Sequence, residues 1–312
     1  MNAASIHVRV PATTANLGPG FDCLALALDL WNEAVFTPSE SGIVIQVQGE
    51  GADVLPRDGS NLVAVAVERF FEEMGLSRTS GFHIVCRNRI PLGSGLGSSA
   101  AAVLTGLLAA NALAGNPATP VEILKLAHAI EGHPDNVTAA LFGGLVIVVN
   151  EAEDFVYRRF DIPALPVAIA LPLIELSTHA ARQALPAAIP LSDAVFNLGR
   201  TALVVEALRS GDFELLSIAM QDRLHQPYRM DLIPGSAAAI RAARQAGAAA
   251  AALSGAGPGV IAFCDSNPEP AAEAMAQAFR QAGVAQRTLL LNAINEGAAV
   301  ESTAAVGAAE SA

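Results

Sequence analysis

Cysteine is scarce in this chain of 312 residues: Cys23, Cys86 and Cys264 stand far apart and are odd in number. Isolated thiols build neither a disulfide framework nor a zinc cluster, so reduced cysteines in a cytosolic compartment are expected, each a small buried hydrophobe. Cations are scarce too: 18 Lys and Arg face 30 Asp and Glu, a formal charge of −12 with a pI near 4.9. This balance argues against a nucleic-acid surface or an anionic-membrane surface, both of which need clustered cations. The opening Met-Asn-Ala-Ala-Ser-Ile-His-Val lacks the basic and apolar regions of a secretory signal. Apolar runs are short as well. Ala100–Ala110 is broken by Thr105 and Gly106, below the roughly 20 residues a membrane span needs. No internal repeat is visible. What remains, 52% hydrophobic and 15% charged residues, suffices for one large or two medium domains of a compact enzyme.

The stretch that organises the chain is Ile90-Pro-Leu-Gly-Ser-Gly-Leu-Gly-Ser-Ser-Ala-Ala-Ala102, three alternate glycines between a strand-like and a helix-like run. Gly93, Gly95 and Gly97 lack a Cβ, so the backbone can take φ > 0 and approach an anion, and Ser98 or Ser99 can cap the helix that follows. The first amides of that helix and its dipole favour a phosphate. A plain strand-to-helix turn would use the same residues. No lysine stands near Gly97 to make a P-loop, and the glycine spacing is not that of a dinucleotide fingerprint.

Read in order, Ser5–Val10 alternates as a strand, Pro11–Gly20 is a loop dense in turn residues, and Phe21–Leu28 alternates again. Strands at Ile43–Val47 and Phe82–Cys86 flank a helix over Asn61–Met74. The helix after the glycine loop ends at Gly115, and Thr119-Pro-Val-Glu122 forms a capping box for another. Glu131-Gly-His-Pro-Asp-Asn136 breaks that second helix and gathers four polar residues at one corner. His133 there is expected as a turn or supporting histidine. Strands over Phe155–Phe160 and Pro166–Leu171 open the second half. Helices follow from Ser177, over Asp193–Arg209, Asp212–Asp222 and Gly235–Ala246, with Arg229 in a polar break. A second glycine loop, Ser254-Gly-Ala-Gly-Pro-Gly259, joins two short strands as a tight hairpin would. A helix over Pro268–Ala282, a strand over Arg287–Leu291 and an aperiodic tail from Glu296 complete the chain.

The pattern Pro-x-Gly-x-Gly-x-Gly-Ser-Ser-Ala resembles the ATP-phosphate loop of the GHMP kinases, and Pro91–Ser99 is most similar to that of the homoserine kinases within that family. Two further segments agree, Pro11…Asn16…Gly20-Phe-Asp22 and His133-x-Asp-Asn136…Gly143-Gly144, and the second glycine loop looks like the third motif of the family. The resemblance covers the chain to about Ile294. It implies an α+β fold of two domains, 1–155 carrying the glycine loop and 156–295 ferredoxin-like, with 296–312 a disordered tail. It implies an ATP-dependent small-molecule kinase of the cytoplasm that phosphorylates the side-chain hydroxyl of L-homoserine for threonine biosynthesis, using Mg²⁺. The partner is then a small molecule, not nucleic acid or membrane, and a homodimer is open to it.

By residue-wise match, Pro91, Leu92, Gly93, Ser94, Gly95, Leu96, Gly97, Ser98, Ser99, Ala100 and Ala101 bind ATP. Ser98 and Glu131 hold Mg²⁺, a hydroxyl and a carboxylate being hard oxygen ligands. Asn16, Asp22, Asn136, Arg182, Arg229 and Gly255 bind the acceptor: Asp22 and Asn16 its ammonium, the two arginines its carboxylate, which a guanidinium matches bidentately. Asn136 and Thr178 orient the hydroxyl. Asn136 stands where mevalonate-kinase-like relatives place a basic aspartate, so the phosphate or a water is expected to assist proton removal. A sugar or mevalonate kinase would not need Asp22 with two arginines, and intact Ser98 and Glu131 argue against a non-catalytic binding relative.

Overall fold

The computed structural model describes residues 5–40, 42–77, 81–151 and 154–303. The chain begins with β1 (Ser5–Ala15), β2 (Leu24–Ser39), β3 (Ile43–Gly49), α1 (Leu62–Glu73) and β4 (Gly81–Asn88). After the glycine loop come α2 (Ser98–Leu113), α3 (Pro120–Glu131), α4 (Pro134–Phe142), β5 (Leu145–Glu151) and β6 (Asp154–Phe160). The rest is β7 (Leu165–Pro172), α5 (Thr178–Gln183), α6 (Leu191–Ser210), α7 (Phe213–Ala219), α8 (Gln226–Met230), α9 (Ser236–Gln245), β8 (Ala250–Leu253), β9 (Val260–Phe263), α10 (Glu269–Gln281), β10 (Gln286–Ala293) and β11 (Ala299–Thr303).

In β1, Ile6, Val8 and Val10 are buried and Arg9 is exposed, as alternation requires. The strand does not stop at Val10. It shifts register between Pro11 and Ala12 and continues, now buried on both faces, to Ala15, paired antiparallel with β2. The turn-rich loop is therefore only the segment 16–23; β2 pairs with β5 over Leu24–Leu26 and runs on past Leu28 to Ser39, pairing with β4 from Glu33 onward. The helix α2 is apolar all round and has helices packed on it. Gly106 lets α1 approach, since a Cβ there would fall onto the Val63 carbonyl oxygen. The capping box of α3 forms as expected, with Thr119 Oγ1 accepting from the Glu122 amide.

In the C-terminal half, β10-β7-β9-β8 form an antiparallel sheet. Numbered along the chain from β7, its order is 4-1-3-2, and α9 and α10 pack together on the apolar cluster around Phe279 and Met275. This is the ferredoxin-like arrangement, and the fold class is α+β. Ala293 of β10 pairs with Leu28 of β2, so one path of strands joins both halves.

Four expectations need correction. The tail expected from Glu296 contains β11, which pairs antiparallel with β1 from Ser5↔Thr303 to Arg9↔Ala299; residues 304–312 lie outside the described residues. Here a free strand edge overrides a composition that reads as tail. Arg229 lies on the short helix α8, not in a break. The cap of α2 is Gly97 in the left-handed conformation, with no side-chain bond from Ser98 or Ser99, both of which lie inside the helix. Cys86 and Cys264 are buried, but Cys23 is only partly so. Among the described residues no helix is long and apolar enough to cross a membrane.

Candidate active site

The glycine loop delivers the N-terminus of α2 to a cleft. Because Gly97 makes no side-chain cap, the first amides of α2 are left for a ligand. Gly93, Ser94, Gly95, Gly97, Ser98, Ser99 and Ala100 line this cleft. Leu92 lines an adjoining apolar cavity with Gly93 and Ala102. Pro91, Leu96 and Ala101 are buried in the loop's support and do not line the cleft. The Ser94 hydroxyl donates to the Pro91 carbonyl (2.7 Å), so this serine shapes the loop from within.

The three glycines differ in what they serve. A Cβ on Gly95 (φ 81°) would strike the Ser254 carbonyl oxygen of the second glycine loop, whose Ser254 hydroxyl donates to Gly95 O (2.7 Å). The second loop is thus a hairpin turn between paired strands and also the packing partner of the first. Gly93 (φ 59°) has open space where a Cβ would go. Gly95→Val is therefore expected to lower the melting transition together with ATP affinity. Gly93→Ala should cost only about 1–2 kcal/mol of backbone strain while raising the KM for ATP, measured by coupled ADP release with calorimetry alongside.

Opposite the loop, α3 ends at Glu131 because Gly132 takes the left-handed conformation (φ 79°). Glu131 Oε1 accepts from the Ser99 hydroxyl at 2.5 Å, and burial holds its carboxyl pKa above the ordinary value. The expected ligand pair was Ser98 with Glu131. Both line the cleft, but the hydroxyl bonded to Glu131 is that of Ser99. Carboxylate and hydroxyl oxygens at a helix N-terminus are the hard donors that suit Mg²⁺. Among the described residues no three His, Cys, Asp or Glu gather as a metal cluster, so phosphate and water oxygens would complete the shell.

The segment 16–22 is strained: Asn16 (φ 69°), Leu17 (φ 47°) and Asp22 (φ 58°) all lie in the left-handed region, a feature that clusters at functional sites. Asn16 Oδ1 accepts from the Asp22 amide (2.9 Å) and its Nδ2 donates to Gly255 O (2.8 Å), tying the strained loop to the second glycine loop. Arg182 Nη2 donates to both oxygens of Asp22 (2.7 and 2.8 Å), and its Nε donates to His133 Nε2 (3.1 Å). Burial, with the Arg182 charge second, lowers the His133 pKa and keeps it neutral. Arg229 is 1% exposed and, among the described residues, has no carboxylate partner. Its Nη1 donates to Gly255 O (3.3 Å) and Nε to Ala181 O (3.3 Å). Burial lowers its pKa to about 10, which leaves it charged at neutral pH. Thr178, the first residue of α5 after the cap Ser177, lines the cleft as well.

Asn136 Oδ1 accepts from the Thr13 hydroxyl (2.8 Å) and its Nδ2 donates to Asp135 Oδ1 (3.3 Å), which leaves one N–H and one lone pair of the amide for a ligand. Next to it, Asp135 is 3% exposed and accepts from the Asn136 amide (2.7 Å). Burial, the largest cause, raises its pKa to about 6. A carboxyl whose folded pKa exceeds its unfolded value adds stability at low pH that is lost as pH rises, here between about 4 and 6. Asp135→Asn should remove that slope, so that thermal melts of variant and parent diverge across this window; parallel curves would contradict the assignment.

Thr13, Asp135 and Phe21, whose ring lies 5.4 Å from the Arg182 guanidinium, were not among the expected site residues. Phe21 stood inside the Gly-Phe-Asp motif and Asp135 inside the His-x-Asp-Asn motif, so both were within view. Thr13 reaches Asn136 only through the unexpected extension of β1.

Comparison with known proteins agrees with this fold. Residues 61–144 match the GHMP kinases N-terminal domain and 204–285 the GHMP kinases C-terminal domain. The homoserine kinase of Moorella thermoacetica is 45% identical over 294 residues, covering 94% of this chain and 99% of that one. The homoserine kinase of Carboxydothermus hydrogenoformans is 46% identical over 258 residues, 83% and 84% of the two chains. The crystal structure of homoserine kinase from Cytophaga hutchinsonii superposes with a TM-score of 0.85 at 33% identity, covering 96% of this chain and 98% of that one. The chain belongs to the GHMP kinase family and is an ATP-dependent small-molecule kinase. An L. major mevalonate kinase shares the fold at 16% identity with a TM-score of 0.69, so the fold alone does not select the acceptor.

Proposed function

We propose that this kinase is a homoserine kinase, transferring the γ-phosphoryl group of ATP to the side-chain hydroxyl of L-homoserine to give O-phospho-L-homoserine on the route to threonine. The observation that carries the acceptor is Arg229, a buried guanidinium with no carboxylate partner, set beside the Asp22–Arg182 pair. A zwitterionic amino acid complements this arrangement. Its carboxylate satisfies Arg229 and one edge of Arg182, and its ammonium meets Asp22 and Asn16.

ATP binds with its phosphates at the N-terminus of α2. Ser98 and Glu131, with the Ser99 hydroxyl beside them, hold Mg²⁺, which when bound neutralises charge on the transferring phosphates. Catalysis is otherwise positioning. Asn136 donates from Nδ2 and Thr178 offers its hydroxyl, so the two hold the acceptor oxygen in line. A carboxamide is not basic enough to take a proton as a carboxylate would, so the proton of the hydroxyl leaves to a phosphate oxygen or a water. The test is coupled ADP release with L-homoserine, L-threonine, mevalonate and galactose. L-Homoserine should give the highest kcat/KM, and a higher value for mevalonate or galactose would overturn the acceptor.

A further inference from the structure

The short helix α8 is held in an unusual way. The Asp222 side chain is fully buried and filled with donors. Its Oδ1 accepts from Asn197 Nδ2 (2.7 Å) and the Leu224 amide (2.8 Å), and its Oδ2 from the amides of His225 (3.1 Å) and Gln226 (2.7 Å). Gln226 Oε1 in turn accepts from the Leu253 amide (2.8 Å), fastening α8 to the strand that leads into the second glycine loop. None of these groups reaches the cleft, yet together they fix where His225 stands.

His225 has no exposed surface. Its Nε2 lies 2.8 Å from the carbonyl oxygen of Gly18, which can only accept, so Nε2 carries the proton. In the neutral ring Nδ1 then bears a lone pair, and Arg229 Nη1 lies 3.2 Å from it. Burial, the largest cause, lowers the His225 pKa and favours that neutral form. The ring also stacks on Phe21 (5.1 Å between centroids, 27°), and Phe21 lies under both guanidiniums, 5.0 Å from Arg229 and 5.4 Å from Arg182. With Nη1 engaged by His225 and Gly255, and Nε by Ala181, Nη2 of Arg229 is the donor with no partner among the described residues.

We propose that His225, as its Nε2–H tautomer, is a positioning residue for carboxylate recognition: anchored on the Gly18 carbonyl, it holds the Arg229 guanidinium by accepting from Nη1, so that Nη2 faces the acceptor. A guanidinium left to rotate in a dehydrated pocket would lose the directionality that makes it a carboxylate reader. The link also couples the reader to the strained 16–22 loop, which carries the groups for the ammonium. This inference rests on the reading of Arg229 as the carboxylate grip.

The experiment compares kcat/KM for L-homoserine with that for homoserinol, in which an uncharged alcohol replaces the carboxylate, in the parent enzyme, His225→Phe and His225→Asn. Phenylalanine keeps the stack on Phe21 and removes both nitrogens, whereas asparagine retains an acceptor near the position of Nδ1. His225→Phe should lose about tenfold in efficiency with L-homoserine, chiefly through KM. Its homoserinol efficiency and KM for ATP should stay within about twofold of the parent, and His225→Asn should restore most of the loss. If His225→Phe does not fold, His225→Gln carries the same test, since it can donate to Gly18 but offers nothing at the Nδ1 position. An unchanged homoserine-to-homoserinol ratio in the folded variant would overturn the proposal, whether both efficiencies fall together or neither does. A parent enzyme that does not distinguish the two acceptors would instead overturn the reading of Arg229 itself.

Discussion

Glu131→Gln is expected to reduce kcat on the order of a hundredfold, the scale on which charge-stabilising groups at phosphoryl-transfer and metal sites act. The substitution keeps the shape and an oxygen that accepts from the Ser99 hydroxyl, so the local structure has no reason to change. Stability should not fall. Burial raises the pKa of this carboxyl, so its ionised form is disfavoured in the folded protein at neutral pH, and a neutral amide removes that penalty. The melting transition at pH 7 should therefore be equal to or slightly above that of the parent, while the dependence of rate on magnesium concentration shifts upward. Retention of most of the activity at low magnesium would mean that another group holds the metal.

Arg229→Lys should raise the KM for L-homoserine by about a hundredfold while leaving the KM for ATP within a factor of a few. Breaking a buried, hydrogen-bonded charge pair costs about 2–5 kcal/mol, and a lysine keeps the charge but loses the planar fork. The two arginines are not equivalent. Arg182 is already bonded to Asp22 and touches His133, whereas Arg229 is buried without a carboxylate. Removing Arg182 would also strand Asp22, so its loss should damage ammonium and carboxylate recognition together. Steady-state kinetics with L-homoserine varied at saturating ATP, and the reverse, separate these outcomes.

Much of this was legible in the sequence, for physical reasons that can be named. The glycine loop, the capping box at Thr119 and the break at Gly132 are local chemistry, and each forms as its residues dictate. Resemblance gave Asp22 and Arg182 as separate contacts to the acceptor; that they pair with each other across 160 positions is seen only in the structure, since no local rule brings them together. What escaped depended on partners. β1 runs beyond Pro11 because a register shift accommodates the proline, and β11 forms because β1 offers an edge. Gly95 reads as a glycine for a phosphate, but the structure shows that its missing Cβ makes room for Ser254 O. Arg229 reads as a polar break because a five-residue helix leaves little periodic signal, and what holds that helix, the buried Asp222, is itself a tertiary feature.

The central claim is that the acceptor is an amino acid whose side-chain oxygen receives the phosphoryl group. Phosphorus NMR of the reaction of this enzyme with ATP, Mg²⁺ and L-homoserine tests it most directly. A new phosphomonoester resonance, split by coupling to the side-chain methylene and growing in step with ADP, is the expected result. ADP formed with inorganic phosphate alone, or a phosphomonoester obtained from mevalonate or galactose but not from L-homoserine, would contradict it.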